Sequence, residues 1–262
     1  MDKNKKQIIE LFNTNVKGKK PDTSSSNPKH HGKGGHWLEE QMGIIPNGDN
    51  APDILGYEMK NQTTSKTSFG DWQADEYIYI HGRGKNPKRN NTNINYNITR
   101  DNFLEIFGKP NMNKNGRYSW SGQPCPKYGN YNDFGQKLII DSDNNIIALY
   151  SFSEDKRSNK FTIIPQNMQI DNLVIAKWNV LSLQKKLENK FNQKGWFKCT
   201  MDNNGFYNSI HFGLPMTYDT WINLVKQGIV IFDSGMYQGN ARPYAMWRAV
   251  NSFWDSLIVE SY

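Results

Sequence analysis

The stretch Pro52-Asp53-Ile54-Leu55-Gly56-Tyr57-Glu58-Met59-Lys60 decides which fold the sequence predicts. Polar and apolar residues alternate along its second half, which is the pattern of a β-strand with one apolar face. Because successive side chains of a strand point to opposite faces, Glu58 and Lys60 share one face. Tyr57 and Met59 occupy the other. The strand is therefore predicted to carry an ionic face and an apolar face.

Asp53 lies immediately before the predicted strand, which runs from Ile54 to Lys60. A turn through Gly56 could fold its carboxylate back toward Glu58, so that both bind one hard divalent cation. Hydrolysis of a phosphodiester needs such a Lewis acid and a positioned water molecule. The stretch thus predicts a Mg²⁺ site of Asp53 and Glu58, with Lys60 orienting the water or stabilising the charged phosphate.

A short helix is predicted before this stretch, from the spacing of Trp37, Leu38, Met42 and a terminating Gly43. Glu39 lies on that helix, which leads directly into the turn at Asp53, so its carboxylate could reach the same metal ion. Its neighbour Glu40 is an alternative, because the sequence does not decide which glutamate points inward. Three carboxylates and one lysine are predicted to converge.

The same residues also allow a purely structural interpretation. Asp53 would then start a turn, and Glu58 and Lys60 would form a solvated pair on an exposed strand. The full string Pro-Asp-x4-Glu-x-Lys arises by chance in roughly one chain of this length in several hundred, whereas looser spacings occur in most proteins. Both interpretations stay open on the motif alone.

Composition favours an acidic partner. The chain has 262 residues, a formal net charge of +7 and a pI near 9.2, and such an excess promotes association with a polyanion, although it also serves solubility. The two cysteines, Cys125 and Cys199, lack the spacing of a zinc site or a disulfide framework. No stretch resembles a membrane span or a signal peptide, so we expect a cytoplasmic protein without a membrane partner.

The rest of the chain predicts one α/β domain over residues 1–262. A polar loop or arm is expected from Lys17 to Lys33, and a glycine-rich basic loop from His81 to Asn97. Helices are predicted at Lys5 to Asn13, Arg100 to Phe107, Val180 to Phe191, Tyr218 to Gln227 and near the C-terminus. Further strands are predicted at Lys137 to Asp141, Ile146 to Phe152, Lys160 to Ile164, Leu173 to Lys177, Trp196 to Met201, Tyr207 to Phe212, Val230 to Tyr237 and Tyr244 to Val250.

The string Gly32-Lys-Gly-Gly-His-Trp-Leu-Glu39-Glu-Gln-Met-Gly43, followed by Asp53, Glu58 and Lys60, resembles the catalytic segment of MutH-like endonucleases. These belong to the PD-(D/E)XK superfamily and include restriction enzymes of the MvaI type. The resemblance implies a Mg²⁺-dependent endonuclease acting on double-stranded DNA, with an α/β or α+β fold of one mixed central sheet flanked by helices. It also implies that Glu39, Asp53, Glu58 and Lys60 occupy active-site positions, within a catalytic part from about residue 30 to residue 180.

The C-terminal stretch corresponds, by the same resemblance, to a recognition part from about residue 195 to residue 262. Arginine can bond guanine bidentately and Gln or Asn can bond adenine, so the candidates for DNA recognition are Arg242, Arg248, Tyr237, Gln238 and Asn240. A β-hairpin whose arginines only touch phosphate is the alternative. The basic loop offers candidates for contact with the DNA backbone: Arg83, Lys85, Lys88 and Arg89.

The resemblance makes a type II restriction enzyme the first hypothesis, cutting a short GC-rich site with a pseudo-symmetric core such as CC-N-GG, without a protein partner. A strand-nicking repair enzyme and a DNA-binding protein that does not cut are the alternatives. The oligomeric state stays open. The histidines His30, His31, His36 and His211 are assigned no catalytic role, because a glycine-rich loop or a core position accounts for them.

Overall fold

The computed structural model describes residues 2–22, 33–45, 50–61, 63, 65–79 and 96–262. The four predicted backbone-contacting residues, Arg83, Lys85, Lys88 and Arg89, lie outside the described residues, as does most of the predicted polar arm. Within the described part, no helix is long and apolar enough to cross a membrane.

Seven α-helices are described. In chain order they are α1 (Lys3–Asn15), α2 (Lys33–Gln41), α3 (Arg100–Phe107), α4 (Lys160–Ile163), α5 (Val180–Phe191), α6 (Tyr218–Lys226) and α7 (Asn251–Ser256). Two short 3-10 turns cover Met112–Lys114 and Gln166–Met168. Helices α3 and α5 have the bounds that the sequence predicted, since each combines an apolar face at helical spacing with polar flanks.

Fourteen strands complete the described secondary structure. They are β1 (Glu58–Asn61), β2 (Lys66–Asp71), β3 (Glu76–Tyr77), β4 (Lys109–Asn111), β5 (Arg117–Trp120), β6 (Phe134–Ile140), β7 (Ile146–Asp155), β8 (Leu173–Trp178), β9 (Trp196–Met201), β10 (Tyr207–Gly213), β11 (Ile231–Phe232), β12 (Met236–Tyr237), β13 (Met246–Val250) and β14 (Ile258–Ser261).

The chain forms two compact units, each built from separate segments. The first unit comprises Met1–Thr67, Lys185–Tyr218 and Ala249–Tyr262, and the second comprises Ser68–Gln184 and Asp219–Arg248. The chain leaves the first unit within β2 and returns to it twice. Contacts between segments that are distant in sequence set the bounds of the two units, and hydropathy patterning does not report them. The division into a catalytic part and a recognition part stays a prediction.

A mixed four-stranded sheet organises the first unit, in the order β1-β9-β10-β14. Strand β1 is parallel to β9, with Glu58 opposite Trp196 and Lys60 opposite Lys198. The other two pairings, β9 with β10 and β10 with β14, are antiparallel. The parallel pairing places the ionic face of β1 beside one lysine from a distant part of the chain.

Helices cover both faces of this sheet. On one face, Tyr57 and Met59 join a core with residues of α1, α2, β9 and β10, among them Ile8, Phe12, Leu38, Met42, Phe197, Cys199 and Phe212. On the other face, Trp254 of α7 packs against Trp196 of β9 with ring centroids 5.0 Å apart and against Phe191 of α5 at 6.2 Å. Aromatic rings thus cover the ionic face of β1.

The second unit contains the sheets β3-β8-β7-β6 and β12-β5-β4 and the larger part of a third sheet, β11-β13-β2. Its core is aromatic: Trp178 contacts Phe232 and Trp247 at centroid distances of 5.0 and 5.5 Å, and Trp247 contacts Trp221 at 5.2 Å. Edge-to-face contacts of this kind add to the stabilisation that burial of the rings provides. These ring contacts hold the two-residue strand β11, which carries Phe232, against β8 and β13.

Three sequence predictions of local structure are wrong. The predicted strand at Lys160 to Ile164 is the single helical turn α4, where Ile163 N donates to Asn159 O and Ile164 N to Lys160 O, at 3.2 and 2.9 Å. The predicted strand at Val230 to Tyr237 is interrupted, since Gly235 adopts a φ of +69°. The predicted closing helix is followed by a strand, β14, that the sequence did not predict.

The strand predicted from Ile54 to Lys60 is a further error. The strand begins at Glu58 instead of Ile54, because Leu55 and Gly56 have φ values of 51° and 85° and form a tight turn. Alternating hydropathy does not distinguish such a turn from the start of a strand.

Candidate functional site

The turn before β1 brings Asp53 back onto the strand, as predicted. Ile54 and Tyr57 close the turn with reciprocal backbone hydrogen bonds of 3.1 and 2.8 Å, and the Asp53 Oδ2 atom accepts a 2.8 Å bond from Met59 N. Gly56 suits the turn because its positive φ is strained for other residues, and a Cβ there would lie 3.3 Å from Lys194 Cγ. The carboxylate of Asp53 is thereby fixed beside the strand that carries Glu58.

Glu58 and Lys60 form a buried ion pair. Their exposed fractions are 2% and 9%, and Lys60 Nζ lies 2.7 Å from Glu58 Oε1. The alternative interpretation, a solvated pair on an exposed strand, is therefore wrong. A buried pair of charges is costly unless further contacts compensate it. The groups around the pair therefore determine what it can do chemically.

A second ammonium group reaches the same carboxylate. Lys190 Nζ of α5 lies 3.1 Å from Glu58 Oε1, while the Lys60 ammonium sits 5.0 Å from the ring centroid of Phe191 and 6.0 Å from that of Trp254. The Glu58 Oε2 atom is buried and has no hydrogen-bond partner among the described residues. One oxygen of Glu58 is thus doubly engaged, and the other is available.

Burial controls the ionisation of this pair. It raises the pKa of the Glu58 carboxyl above its ordinary value of 4.5, against the lowering effects of Lys60 and Lys190, and nearby Asp53 raises it further. Burial likewise lowers the pKa of Lys60 below 10.5, against the raising effect of Glu58. A cation next to the Glu58 Oε2 atom would favour the ionised carboxylate again.

Glu39 is not brought into a shared metal site with the other two carboxylates. Its carboxylate instead lies 3.1 Å from His36 Nδ1, one helical turn away. In the part of the chain that the structure describes, no three His, Cys, Asp or Glu side chains are close enough to hold a metal ion. The predicted convergence of Glu39, Asp53 and Glu58 is therefore not present in this structure, because α2 directs the Glu39 side chain to its own preceding turn.

A polar cleft opens beside Lys60. It is lined by Lys60, Asn61, Thr67, Lys198, Asn251, Trp254 and Asp255. Lys198 is paired with Asp255 across the cleft, and Asn251 Oδ1 accepts a 3.0 Å hydrogen bond from Thr67 Oγ1. Two lysine ammonium groups in one cleft suit an anionic group such as phosphate.

His211 stands behind this cleft as a neutral hydrogen-bonding residue. Its Nε2 atom lies 2.9 Å from Thr200 Oγ1 and its Nδ1 atom 2.8 Å from Ser261 Oγ. Burial, and then the charge of Lys198, lower the pKa of His211 below its ordinary value of 6.5. The ring links β9, β10 and β14.

The two candidate arginines of the second unit are each paired with an aspartate. Arg242 Nη1 lies 2.6 Å from Asp71 Oδ2, and its guanidinium stacks 4.5 Å from the ring centroid of Tyr244. Arg248 Nη1 lies 3.4 Å from Asp233 Oδ2. A carboxylate behind a guanidinium fixes the direction in which its remaining N–H groups point.

Gln238 and Asn240 are occupied by contacts within the protein. Gln238 Oε1 accepts a 2.8 Å bond from Tyr118 N, and Asn240, which is 6% exposed, accepts a 2.6 Å bond from Tyr237 N. The ring of Tyr237 is covered by the guanidinium of Arg117, 3.5 Å from the ring centroid. These three candidates thus hold the turn after β12 in the conformation observed.

Sequence reasoning missed Lys190, Lys198, Asp255 and Arg117. A signal existed for Lys190, because helical spacing puts it on the same face as the buried Leu183 and Leu187. A signal also existed for Lys198, which shares a face of β9 with the buried Trp196, two residues before it. A lysine on a buried face is unusual unless it is paired.

Comparison with known proteins gives three consistent findings. The family model described as LlaMI restriction endonuclease matches residues 16–262. The type II restriction enzyme ScrFI of Lactococcus lactis subsp. cremoris is 51% identical over 275 residues, covering 100% of both chains. The solved complex of restriction endonuclease MvaI with cognate DNA substrate has a TM-score of 0.57 at 15% identity, over 100% of this chain and 98% of that one. This last likeness shows the fold, and it confirms the predicted fold class.

Proposed function

The chain belongs to the LlaMI restriction endonuclease family and is a type II site-specific deoxyribonuclease, and from this we propose that it hydrolyses double-stranded DNA with a Mg²⁺ ion held by Asp53 and Glu58. Enzymes of this class generally use a divalent metal ion. Membership of this family excludes the alternative of a DNA-binding protein that does not cut. Double-strand cutting, the identity of the metal and its ligands are the proposed elements.

One observation carries the proposal for the metal: Glu58 Oε2 is buried and has no hydrogen-bond partner in the described part of the chain. A buried carboxylate oxygen without a partner is costly, and a hard cation removes that cost. Asp53 is hydrogen-bonded to the neighbouring strand position, and its charge acts on Glu58. The two carboxylates suit Mg²⁺, which keeps several waters and uses one or two protein carboxylates.

Lys60 is the proposed residue that acts on the reacting groups. Bound Mg²⁺ would supply the Lewis acid for the phosphate and lower the pKa of a coordinated water. The Lys60 ammonium borders the polar cleft, where it can donate to a phosphate oxygen or hold the attacking water. Lys198 adds a second ammonium group to the same cleft. Glu39 would become a further metal ligand only in a conformation in which its carboxylate no longer contacts His36.

Recognition of a short GC-rich site is proposed for Arg242 and Arg248. Pairing with Asp71 and Asp233 restricts each guanidinium, which lowers the entropy lost when it bonds a guanine edge. Gln238 and Asn240 would support the loop instead of contacting bases, because their side-chain oxygens accept hydrogen bonds within the protein. The same role is proposed for Tyr237, whose ring is covered by the Arg117 guanidinium. The sequence CC-N-GG remains the proposed type of site.

We expect Arg242→Ala or Arg248→Ala to cost about 1–3 kcal/mol at the cognate site and to relax discrimination at one base pair. Asp233 keeps donors from Ser121 Oγ and Gly122 N at 3.2 and 3.3 Å, so the Arg248 variant should fold. Competition binding in Ca²⁺, with cognate and single-mismatch duplexes at two salt concentrations, measures the effect. Lys114→Ala, which removes an exposed charge of the same unit, is the control. Equal weakening on all duplexes would make both arginines phosphate contacts.

Digestion of a sequenced supercoiled plasmid tests the proposed function. We expect linear products with Mg²⁺, none with excess EDTA, and run-off sequencing that gives one short site on both strands. Open circles that never become linear would favour the nicking enzyme. Cleavage that persists in EDTA would contradict the proposed use of a metal ion.

A further inference from the structure

The segment that carries Lys190 is attached to the residues around Asp53 at two points, one in helix α5 and one beyond its end. One helical turn before Lys190, the carbonyl of Lys186 accepts a hydrogen bond from the Asn50 side chain. One turn after it, Lys194 N donates a 3.1 Å bond to Gly56 O. One bond thus ties α5 itself and the other ties the residues after it to the segment that carries Asp53, and Lys190 lies between these two attachment points.

Lys190 uses this position to reach the catalytic strand. Its side chain is 19% exposed, and its ammonium lies 3.1 Å from Glu58 Oε1. Lys60 Nζ contacts the same oxygen at 2.7 Å. Two ammonium groups therefore share one carboxylate oxygen, although one would be enough to orient it. The presence of the second ammonium group, that of Lys190, therefore needs a separate explanation.

We propose that Lys190 is a positioning residue that takes over the charge and orientation of Glu58 when Lys60 turns its ammonium toward the phosphate or the attacking water. The inference rests on the proposed function of Lys60. Lys60 and Lys190 both contact the Oε1 atom, whereas the proposed cation would engage Oε2. If Lys60 were the sole partner of Oε1, its departure would leave that buried oxygen without a partner, which is costly. With Lys190 in place, Glu58 stays paired and Lys60 is released for the reaction.

The variants Lys190→Met and Lys190→Arg separate this role from a merely structural one. Lys185→Met is the matched control, since it removes the same charge from the exposed side of the same helix. Glu58 retains Lys60 in the methionine variant, so the fold should persist, which the melting temperature reports. Each protein is assayed on the duplex whose site the plasmid digestion maps.

Single-turnover cleavage at saturating Mg²⁺ should be roughly 10- to 100-fold slower in Lys190→Met, a range typical of residues that orient an active-site ligand. Lys190→Arg should recover most of the rate, because a guanidinium also pairs with a carboxylate. Binding of Mn²⁺ to the complex with cleaved product duplex, followed by electron paramagnetic resonance, should be unchanged or tighter, since a nearby positive charge has been removed. Lys190→Met should thus lower the cleavage rate without lowering the affinity for the metal ion.

Lys190→Met that cuts as fast as Lys185→Met would overturn the inference while leaving the proposed function intact. Slow cutting accompanied by an equal loss of Mn²⁺ affinity, a lowered melting temperature and no recovery in Lys190→Arg would also overturn it, since it would mean that the residue only maintains the fold. Failure of the wild-type protein to cut with Mg²⁺ would instead contradict the proposed function itself.

Discussion

Asp53→Asn is expected to lower the rate of DNA cleavage by on the order of 10³-fold, because it removes one of two charged ligands from a hard cation that stabilises the transition state by several kcal/mol. The amide oxygen of Asn can still accept the 2.8 Å hydrogen bond from Met59 N, so the turn should survive. Single-turnover cleavage in Mg²⁺ measures the rate, and DNA binding in Ca²⁺ shows whether specific binding is kept.

Asp202→Asn is the matched control for this substitution. Asp202 also accepts backbone hydrogen bonds in a tight turn of the first unit, from Asn204 N and Phe206 N at 2.9 Å each. A loss of activity caused by the amide for carboxylate exchange as such would appear in both variants. Near wild-type cleavage by Asp53→Asn would show that the metal is held elsewhere. Glu58→Ala is expected to be as inactive, but it also leaves the buried Lys60 and the partly buried Lys190 without their carboxylate.

Lys60→Met is expected to slow the chemical step by roughly 10²- to 10³-fold, which corresponds to about 3–4 kcal/mol of transition-state stabilisation. Glu58 should remain compensated by Lys190, 3.1 Å away, so neither folding nor metal binding should fail. Lys60→Arg should not restore the rate, because a planar guanidinium presents charge and donors differently from a compact ammonium, and two aromatic rings enclose the site.

Comparing the cleavage rate with the melting temperature shows whether Lys60 acts in the reaction or only stabilises the fold. Thermal melting of Lys60→Met should stay close to that of the wild type, while single-turnover cleavage falls. A methionine variant that cuts at the rate of the Lys185→Met control would reduce Lys60 to a structural partner of Glu58. Recovery of the full rate in Lys60→Arg would show that only positive charge is needed there.

The sequence sufficed for the part of the site that is contiguous in the chain. A period of two puts Glu58 and Lys60 on one strand face, and Gly56 permits the turn that returns Asp53 to the strand; both features depend only on near neighbours. The structure confirms this geometry. The same local reasoning gave α3, α5 and β9 with their observed bounds.

What the sequence left undetermined depends on residues that are distant along the chain. Lys190 reaches Glu58 only because the segment that carries it is bonded to the residues around Asp53, and Lys198 stands opposite Lys60 only through the parallel pairing of β1 with β9. Hydropathy patterns specify faces but not partners. The burial of the pair, which excludes the solvated alternative, follows from these distant contacts.

Glu39 shows the limit of reasoning from a family resemblance. The sequence places it on a helix beside the site, as observed, but its carboxylate pairs with His36 in the same helix. A contact between residues three apart on a helix competes directly with a metal ligand. The resemblance predicts which residue of the chain is the candidate. Whether the Glu39 carboxylate contacts His36 or a metal ion depends on the local energetics of the two contacts.

The central claim is that Asp53 and Glu58 hold the divalent cation used in cleavage, and Mn²⁺ binding tests it most directly. Electron paramagnetic resonance counts bound Mn²⁺ in complexes with the cleaved product duplex, where no turnover interferes. We expect the wild-type and Asp202→Asn complexes to bind Mn²⁺ with equal affinity and the Asp53→Asn complex to lose it. Binding of Mn²⁺ by Asp53→Asn with the number and affinity of the wild type would contradict the claim.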